Sequence, residues 1–177
     1  MNNQDYSKTP IDQDAGAPRE QATKDDVTST LNGLIQICRD GQQGYKESAE
    51  GIKRSDLKSL FYEFSQQRSE FAGVLQGLVR ALGGDPETEG SFSGAIHRGW
   101  IDIKSAITGG DEISVLNECE RGEDSAKNAY SEALKLNLPS NVLDVIREQS
   151  QAIQAAHNRI KQLRDAGKNK AASPGGF

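Results

Sequence analysis

Residues 55–86, SDLKSLFYEFSQQRSEFAGVLQGLVRALGGDP, carry the clearest helical pattern in the chain. Apolar residues that recur three, four or seven positions apart share one face of an α-helix. The residues on this face are Leu57, Leu60, Phe61, Phe64, Phe71, Leu75, Leu78 and Leu82. Ser55 is a favourable N-cap, and Gly83 and Gly84, followed by Pro86, end the pattern. The stretch predicts a helix of about 27 residues, roughly 40 Å long.

Three further long helices are predicted from the same kind of pattern on either side of this one. The first begins near Thr23, whose spacing to Asp26 is that of a capping box in which Asp replaces the usual Glu or Gln. The third begins after Asp111, a favourable N-cap. The fourth begins near Ser140 and is expected to stop at Gly167, because glycine is common just after a helix end.

The connections between the predicted helices indicate how they pack. About three residues join the first two helices and about four join the last two, and such short connections force antiparallel neighbours. The connection from Gly83 to Gly110 has about 28 residues, and it carries a short amphipathic helix. Its Trp100 is expected to pack against the bundle, and an exposed anchor for a partner is the alternative. The sequence therefore predicts an all-α, ferritin-like four-helix bundle. Its two antiparallel helix pairs are joined by a long crossover that contains a short fifth helix.

The two ends of the chain differ in composition from the rest. Residues 1–22 are polar, contain Pro10 and Pro18 and show no sustained periodicity, and the chain ends in AASPGGF. Segments of this kind do not bury enough apolar surface to fold. We therefore expect one bundle domain at 23–166, between disordered tails at 1–22 and 167–177.

Composition and charge exclude several kinds of partner. Only 34% of the residues are hydrophobic, and no run approaches the roughly 20 apolar residues that span a bilayer, so no membrane association is expected. The net charge is −5 without a Lys/Arg cluster, which argues against nucleic acid. The start of the chain lacks the apolar segment of a secretory signal. Cys38 and Cys119 follow no metal or redox spacing, so we expect buried, reduced thiols in a cytoplasmic protein.

Several short motifs are similar to those of a known family. They are Leu82-Gly83-Gly84-Asp85-Pro86, His97-Arg98-Gly99-Trp100-Ile101-Asp102-Ile103-Lys104, Glu120-Arg121-Gly122-Glu123-Asp124 and Leu138-Pro139. In their order and spacing, over most of residues 25–166, the chain resembles a bacterial family of uncharacterised ferritin-like four-helix-bundle proteins that is defined as a domain of unknown function. The resemblance implies the fold and almost nothing about an activity.

A di-iron centre in a ferritin-like bundle needs a fixed set of ligands. One Glu comes from each of two helices, and a Glu-x-x-His motif comes from each of the other two. The second helix offers Glu63 and Glu70, neither followed by a histidine three residues later, and the fourth has His157 with Gln154 at the carboxylate position. The other histidine, His97, lies in the crossover. Because two helical histidines are required, no iron or manganese cofactor is expected.

A degenerate metal site is the alternative to this interpretation. Its candidate ligands are Glu70, Glu120, Glu123 and His157, which would hold iron or manganese in a ferroxidase or oxidase. His157 lies at the edge of the apolar stripe of its helix, where a hydrogen-bonded boundary residue is the commoner role.

One charged residue interrupts the apolar stripe near the centre of each of two helices: Arg68 in the second and Glu123 in the third. A charge removed from water needs a partner. We therefore expect Arg68 and Glu123 to pair inside the bundle, with Gln42 or Gln149 completing their hydrogen bonds. Such a structural pair would fix the helix register in the space where ferritins hold iron.

These observations favour a structural or interaction role over an enzymatic one. A link to stress physiology is expected by analogy with other proteins of this fold, which is an argument from the fold alone. A third interpretation is a homo-oligomer, formed through the bundle faces, that stores or sequesters a cargo.

Overall fold

The computed structural model describes residues 21–88, 103–109 and 111–172. It contains five helices, which are α1 (Lys24–Gly51), α2 (Ser55–Ala81), α3 (Ile103–Thr108), α4 (Glu112–Leu134) and α5 (Ser140–Ala172). No strand occurs within these three ranges, so the all-α prediction is confirmed. None of these helices is both long enough and apolar enough to cross a membrane.

The helices pack as two pairs. Helix α1 lies along α2 and helix α4 along α5, and the two pairs meet chiefly where α1 contacts α4. The connections within the pairs are residues 52–54 and 135–139, which are short enough to require antiparallel neighbours. The short helix α3 contacts α1 and α4. This is the predicted bundle with a fifth helix in the crossover. Trp100 and His97 lie outside the described residues.

Three of the predicted helix ends are confirmed by their hydrogen bonds or backbone angles. At the start of α1, the Asp26 amide donates to Thr23 Oγ1 at 3.2 Å and the Thr23 amide donates to the Asp26 carboxylate at 3.0 Å, which completes the capping box. Asp111 accepts hydrogen bonds from two backbone amides in the first turn of α4. After α2, Gly83 has a φ of 69°, the left-handed conformation that glycine adopts without strain.

Two predicted helix ends are wrong. The cap of α2 is Arg54, and Ser55 is already helical, so the first turn has no side-chain cap and Arg54 pairs with Asp56 instead. Helix α5 does not stop at Gly167 but continues to Ala172, so residues 167–172 of the predicted tail are helical. A Cβ at Gly167 would lie 2.4 Å from Ile113 Cδ1. This glycine therefore permits a close approach between α5 and the start of α4.

The apolar core is divided into two clusters. One contains the first half of α1, the end of α2, the second half of α4 and the start of α5, with Leu31 and Leu75 fully buried. The other contains the end of α1, the start of α2 and the start of α4, together with Ile103 of α3 and Ile160 of α5. On α2 the boundary between the clusters falls at Arg68. The buried side chain of Arg68 therefore lies between two apolar layers, formed by these clusters, that keep bulk water away from it.

Gly73→Ala is expected to raise the free energy of unfolding by about 0.5–1 kcal/mol, because a helix interior favours alanine over glycine. A Cβ at Gly73 has no neighbouring atom within 4 Å among the described residues. Gly51→Ala is the matched control, since its Cβ would lie 2.1 Å from Ile107 Cγ2, and it should lower stability. Urea denaturation measures the free energy of unfolding of both variants. If the two substitutions change it in the same direction, the packing around these glycines does not decide their effect.

Candidate functional site at the polar centre of the bundle

Arg68 and Glu123 form an ion pair in the middle of the bundle. Each residue is only 1% exposed, and Arg68 Nη2 donates to Glu123 Oε1 at 2.5 Å. The second guanidinium nitrogen, Nη1, donates to Gln67 Oε1 at 2.9 Å. Helices α2 and α4, which belong to different pairs, are thus joined by opposite charges in a region without bulk water.

Tyr45 completes the centre from α1. Its hydroxyl donates to the same Glu123 Oε1 at 2.5 Å. Burial, reinforced by the Glu123 carboxylate, raises the pKa of Tyr45 well above its ordinary value, so the phenol stays protonated. Burial lowers the pKa of Arg68, but the Glu123 carboxylate and Tyr45 raise it by more and hold the pKa above its ordinary value. The centre is therefore a fixed guanidinium–carboxylate–phenol group with no net charge.

A second set of buried polar groups lies beside this centre. Tyr130 donates to Gln149 Oε1 at 2.6 Å, and its oxygen lies 3.2 Å from Cys38 Sγ. Cys119 Sγ lies 3.5 Å from Ser48 Oγ. Burial raises the pKa of Cys38 to about 11 and that of Cys119 to about 12, so both thiols are protonated at neutral pH. Neither cysteine is in a disulfide.

The hydrogen-bond partners predicted for the ion pair are wrong. Gln42 Oε1 accepts from Arg39 at 2.9 Å, and Gln149 accepts from Tyr130 and donates to the Phe71 carbonyl at 3.3 Å. The hydrogen bonds predicted for Gln42 and Gln149 are made instead by Tyr45, which donates to Glu123, and by Gln67, which accepts from Arg68. Tyr45 lies on the apolar stripe of α1, and the useful signal in the sequence was that a buried tyrosine hydroxyl needs a polar partner.

The four candidate metal ligands lie in three different places. Glu123 is in the interior, bonded to Arg68 and Tyr45, whereas Glu70 is exposed on α2 and accepts from Gln66 at 3.0 Å. Glu120 and His157 meet at the outer seam of α4 and α5, where His157 Nε2 lies 3.8 Å from Glu120 Oε1. Within the described ranges, no group of three or more His, Cys, Asp and Glu residues is arranged to hold a metal ion. These residues do not fit a di-iron centre.

The seam between α4 and α5 has its own charged cluster. His157 Nε2 lies 3.1 Å from Asp124 Oδ1, and Glu120 pairs with Arg164. His157 is largely buried, as expected for a hydrogen-bonded residue at the boundary of an apolar stripe. The carboxylates of this cluster are nearer to solvent than that of the central ion pair, since Glu120 is partly buried and Asp124 is exposed whereas Glu123 is buried.

Comparison with solved structures identifies the class of fold. A two-domain protein from Anabaena variabilis, with a DJ-1/ThiJ/PfpI-like and a ferritin-like domain, aligns with 98% of this chain at 15% identity and a TM-score of 0.70. The chain spans about half of that protein, 48% of its length. A dodecameric thioferritin, the bacterioferritin-related protein from Bacteroides fragilis, aligns over 86% of this chain and 92% of its own at 16% identity and a TM-score of 0.70. The fold is thus a ferritin-like bundle.

The sequence identifies the family. The family described as Domain of unknown function (DUF2383) matches residues 26–136, and the chain belongs to it. No curated protein matches the chain. The family resemblance expected from the motifs is thereby confirmed. The matched residues include both members of the central ion pair.

Proposed function

We propose that this protein is a ferritin-like bundle whose centre is held by a guanidinium in place of metal ions, and that it serves as a structural or interaction module. The observation that supports this is the 2.5 Å bond between Arg68 and Glu123 at 1% exposure. Arginine remains charged at every physiological pH. Its cation is therefore permanent and independent of metal supply.

The chemistry of the donor set also supports the proposal. A di-metal centre needs several carboxylates and two imidazoles that converge on the ions. Here one carboxylate oxygen already accepts from both a guanidinium and a phenol. A divalent ion at the same place would have to compete with a neighbouring positive charge in an interior of low dielectric constant, where like charges repel strongly.

Metal analysis tests the proposal. We expect protein purified without chelators, and then incubated with Fe(II) or Mn(II), to retain far less than one ion per chain, and its melting temperature to be unchanged by EDTA. The Glu123→Ala variant is the control. Stoichiometric iron or manganese that is lost in this variant would refute the metal-independent centre.

A ferroxidase or oxidase is the second candidate function, and one observation favours it. Glu120, Asp124 and His157 meet at the α4–α5 seam, with His157 Nε2 3.1 Å from Asp124 Oδ1, although Arg164 would have to release Glu120 to free a ligand. Metal that is retained by the Glu123→Ala variant but lost by a His157→Ala variant would support this candidate.

The proposed setting is the cytoplasm of a bacterium, and the proposed assembly is a homo-oligomer. Two buried thiols without a disulfide are compatible with a reducing compartment. The similar thioferritin is a dodecamer, and the bundle faces of this chain are the surfaces available for such contacts. Light scattering measures the mass of the particle directly.

A further inference from the structure

One oxygen of the central carboxylate lacks a hydrogen-bond donor. Glu123 Oε1 accepts from Arg68 and Tyr45, whereas Oε2 is buried and has no partner within the described ranges. Buried charged oxygens almost always receive hydrogen bonds, because losing their hydration is costly. An unpartnered oxygen of this kind indicates a donor that belongs to another molecule.

A small cavity adjoins this carboxylate. It has a volume of about 10 Å³ and lies between α1 and α4, with Arg68 and Glu123 in its wall together with Asp40, Gly41, Gly122 and Ser125. About this much space is needed for the centre of one water molecule, and a buried water requires two to four polar partners. The cavity is therefore too small for an organic ligand but matches one water.

We propose that one ordered water molecule occupies this cavity and donates a hydrogen bond to Glu123 Oε2. The Asp40 carboxylate in the wall is an acceptor for its second hydrogen. The Ser125 hydroxyl donates to the Arg121 carbonyl at 3.2 Å, so the two carboxylates are the acceptors that hold the water. The water would complete the hydrogen bonds of the ion pair, so this inference rests on the pair being the resident group of the centre.

The two glycines in the wall account for the space. A Cβ at Gly41 would lie 3.3 Å from Arg68 Cγ, so this position leaves room for the arginine stem. Gly122 is buried on α4, in the turn that carries Glu123, and it lines the cavity directly. Because Gly122 lines the cavity, we expect a methyl group at this position to take space from the water while leaving both members of the ion pair in the chain.

A crystal structure of the full chain at about 1.5 Å or better tests the inference directly. We expect a density peak about 2.6–3.0 Å from Glu123 Oε2, without anomalous signal. An empty cavity would overturn the inference and leave the metal-independent centre standing. A peak at about 2.0–2.2 Å with the anomalous signal of a transition metal would overturn both.

Gly122→Ala provides a second test in solution, with Gly73→Ala as the matched control. Both substitutions replace a glycine inside a helix, but only Gly122 lines the cavity. We expect Gly73→Ala to raise the melting temperature by about 2–4 °C, and Gly122→Ala to lower it by at least as much. If Gly122→Ala raises the melting temperature as the control does, the cavity holds nothing that stabilises Glu123 and the inference fails.

Discussion

Arg68→Met is expected to lower the free energy of unfolding by about 3–5 kcal/mol. The substitution preserves much of the apolar stem but leaves the Glu123 carboxylate buried, at 1% exposure, without its cation. A carboxylate cannot be rehydrated there, because the apolar layers on both sides of Arg68 exclude bulk water. Urea or guanidinium denaturation of the variant and the parent protein measures the difference.

Two further variants show whether this loss comes from the uncompensated charge. Arg54→Met removes another arginine that pairs with a carboxylate, Asp56, at 2.6 Å, but this pair is exposed to water and its removal should have little effect. The double variant Arg68→Met/Glu123→Leu removes both buried charges and should recover most of the stability. A loss for Arg68→Met no larger than that for Arg54→Met would show that the pair does not hold the bundle together.

The double variant also separates stability from register. If it is as stable as the parent protein, the ion pair contributes little net free energy, as is often found when a buried pair is replaced by apolar residues. The pair would then act by aligning α2 with α4, because Arg68 and Glu123 can meet at only one position of the two helices along each other. A less cooperative unfolding transition in a double variant of normal stability would reveal this role.

Much of the fold could be predicted because its determinants are local. The apolar stripes reveal four long helices, and the connection lengths reveal which of them are antiparallel neighbours. The end of α5 could not be found in this way, since the role of Gly167 depends on Ile113 of another helix. The cap of α2 was missed for a local reason: Ser55 is a good N-cap by residue type, but the extended residue is Arg54.

The central site could be predicted only in part. Arg68 and Glu123 stand out because each charge interrupts an apolar stripe, and the structure brings them together. Tyr45 does not stand out, since its ring belongs to the stripe and only its hydroxyl reaches the carboxylate. Likewise, the meeting of His157 with Asp124 depends on how α5 is rotated against α4. Helical periodicity shows which face of each helix is buried, but it does not show which side chains of two neighbouring helices meet.

The stability of the bundle is expected to fall steeply above pH 9. Burial raises the pKa of Cys38 to about 11 and that of Cys119 to about 12 from an ordinary value of 9.0. Above pH 9 the unfolded chain therefore loses both thiol protons, whereas the folded chain keeps them. The unfolded state then binds fewer protons, so the free energy of unfolding decreases with pH, at a slope that approaches about 1.4 kcal/mol per pH unit for each thiol once the unfolded thiol is fully ionised.

The two buried tyrosines act in the same direction at higher pH. Burial raises the pKa of Tyr45 and of Tyr130 well above the ordinary value of 10.0, so each adds to the slope once the unfolded phenols ionise. The stabilisation from all four groups is fully present below pH 9 and is lost as the pH rises through the pKa values of the folded protein. Denaturation at intervals between pH 7 and pH 11, under a reductant, measures this dependence.

The double variant Cys38→Ala/Cys119→Ala isolates the contribution of the thiols. Its absolute stability will be lower, because two buried side chains lose volume, but the slope with pH does not depend on that loss. Between pH 9 and pH 10 the parent should lose about 2 kcal/mol more than the variant, about 1 kcal/mol for each thiol, because the unfolded thiols are already half ionised at pH 9. Equal slopes in the two proteins would mean that the thiols titrate alike in the folded and unfolded states, and hence that the layer around Tyr130 and Ser48 admits water.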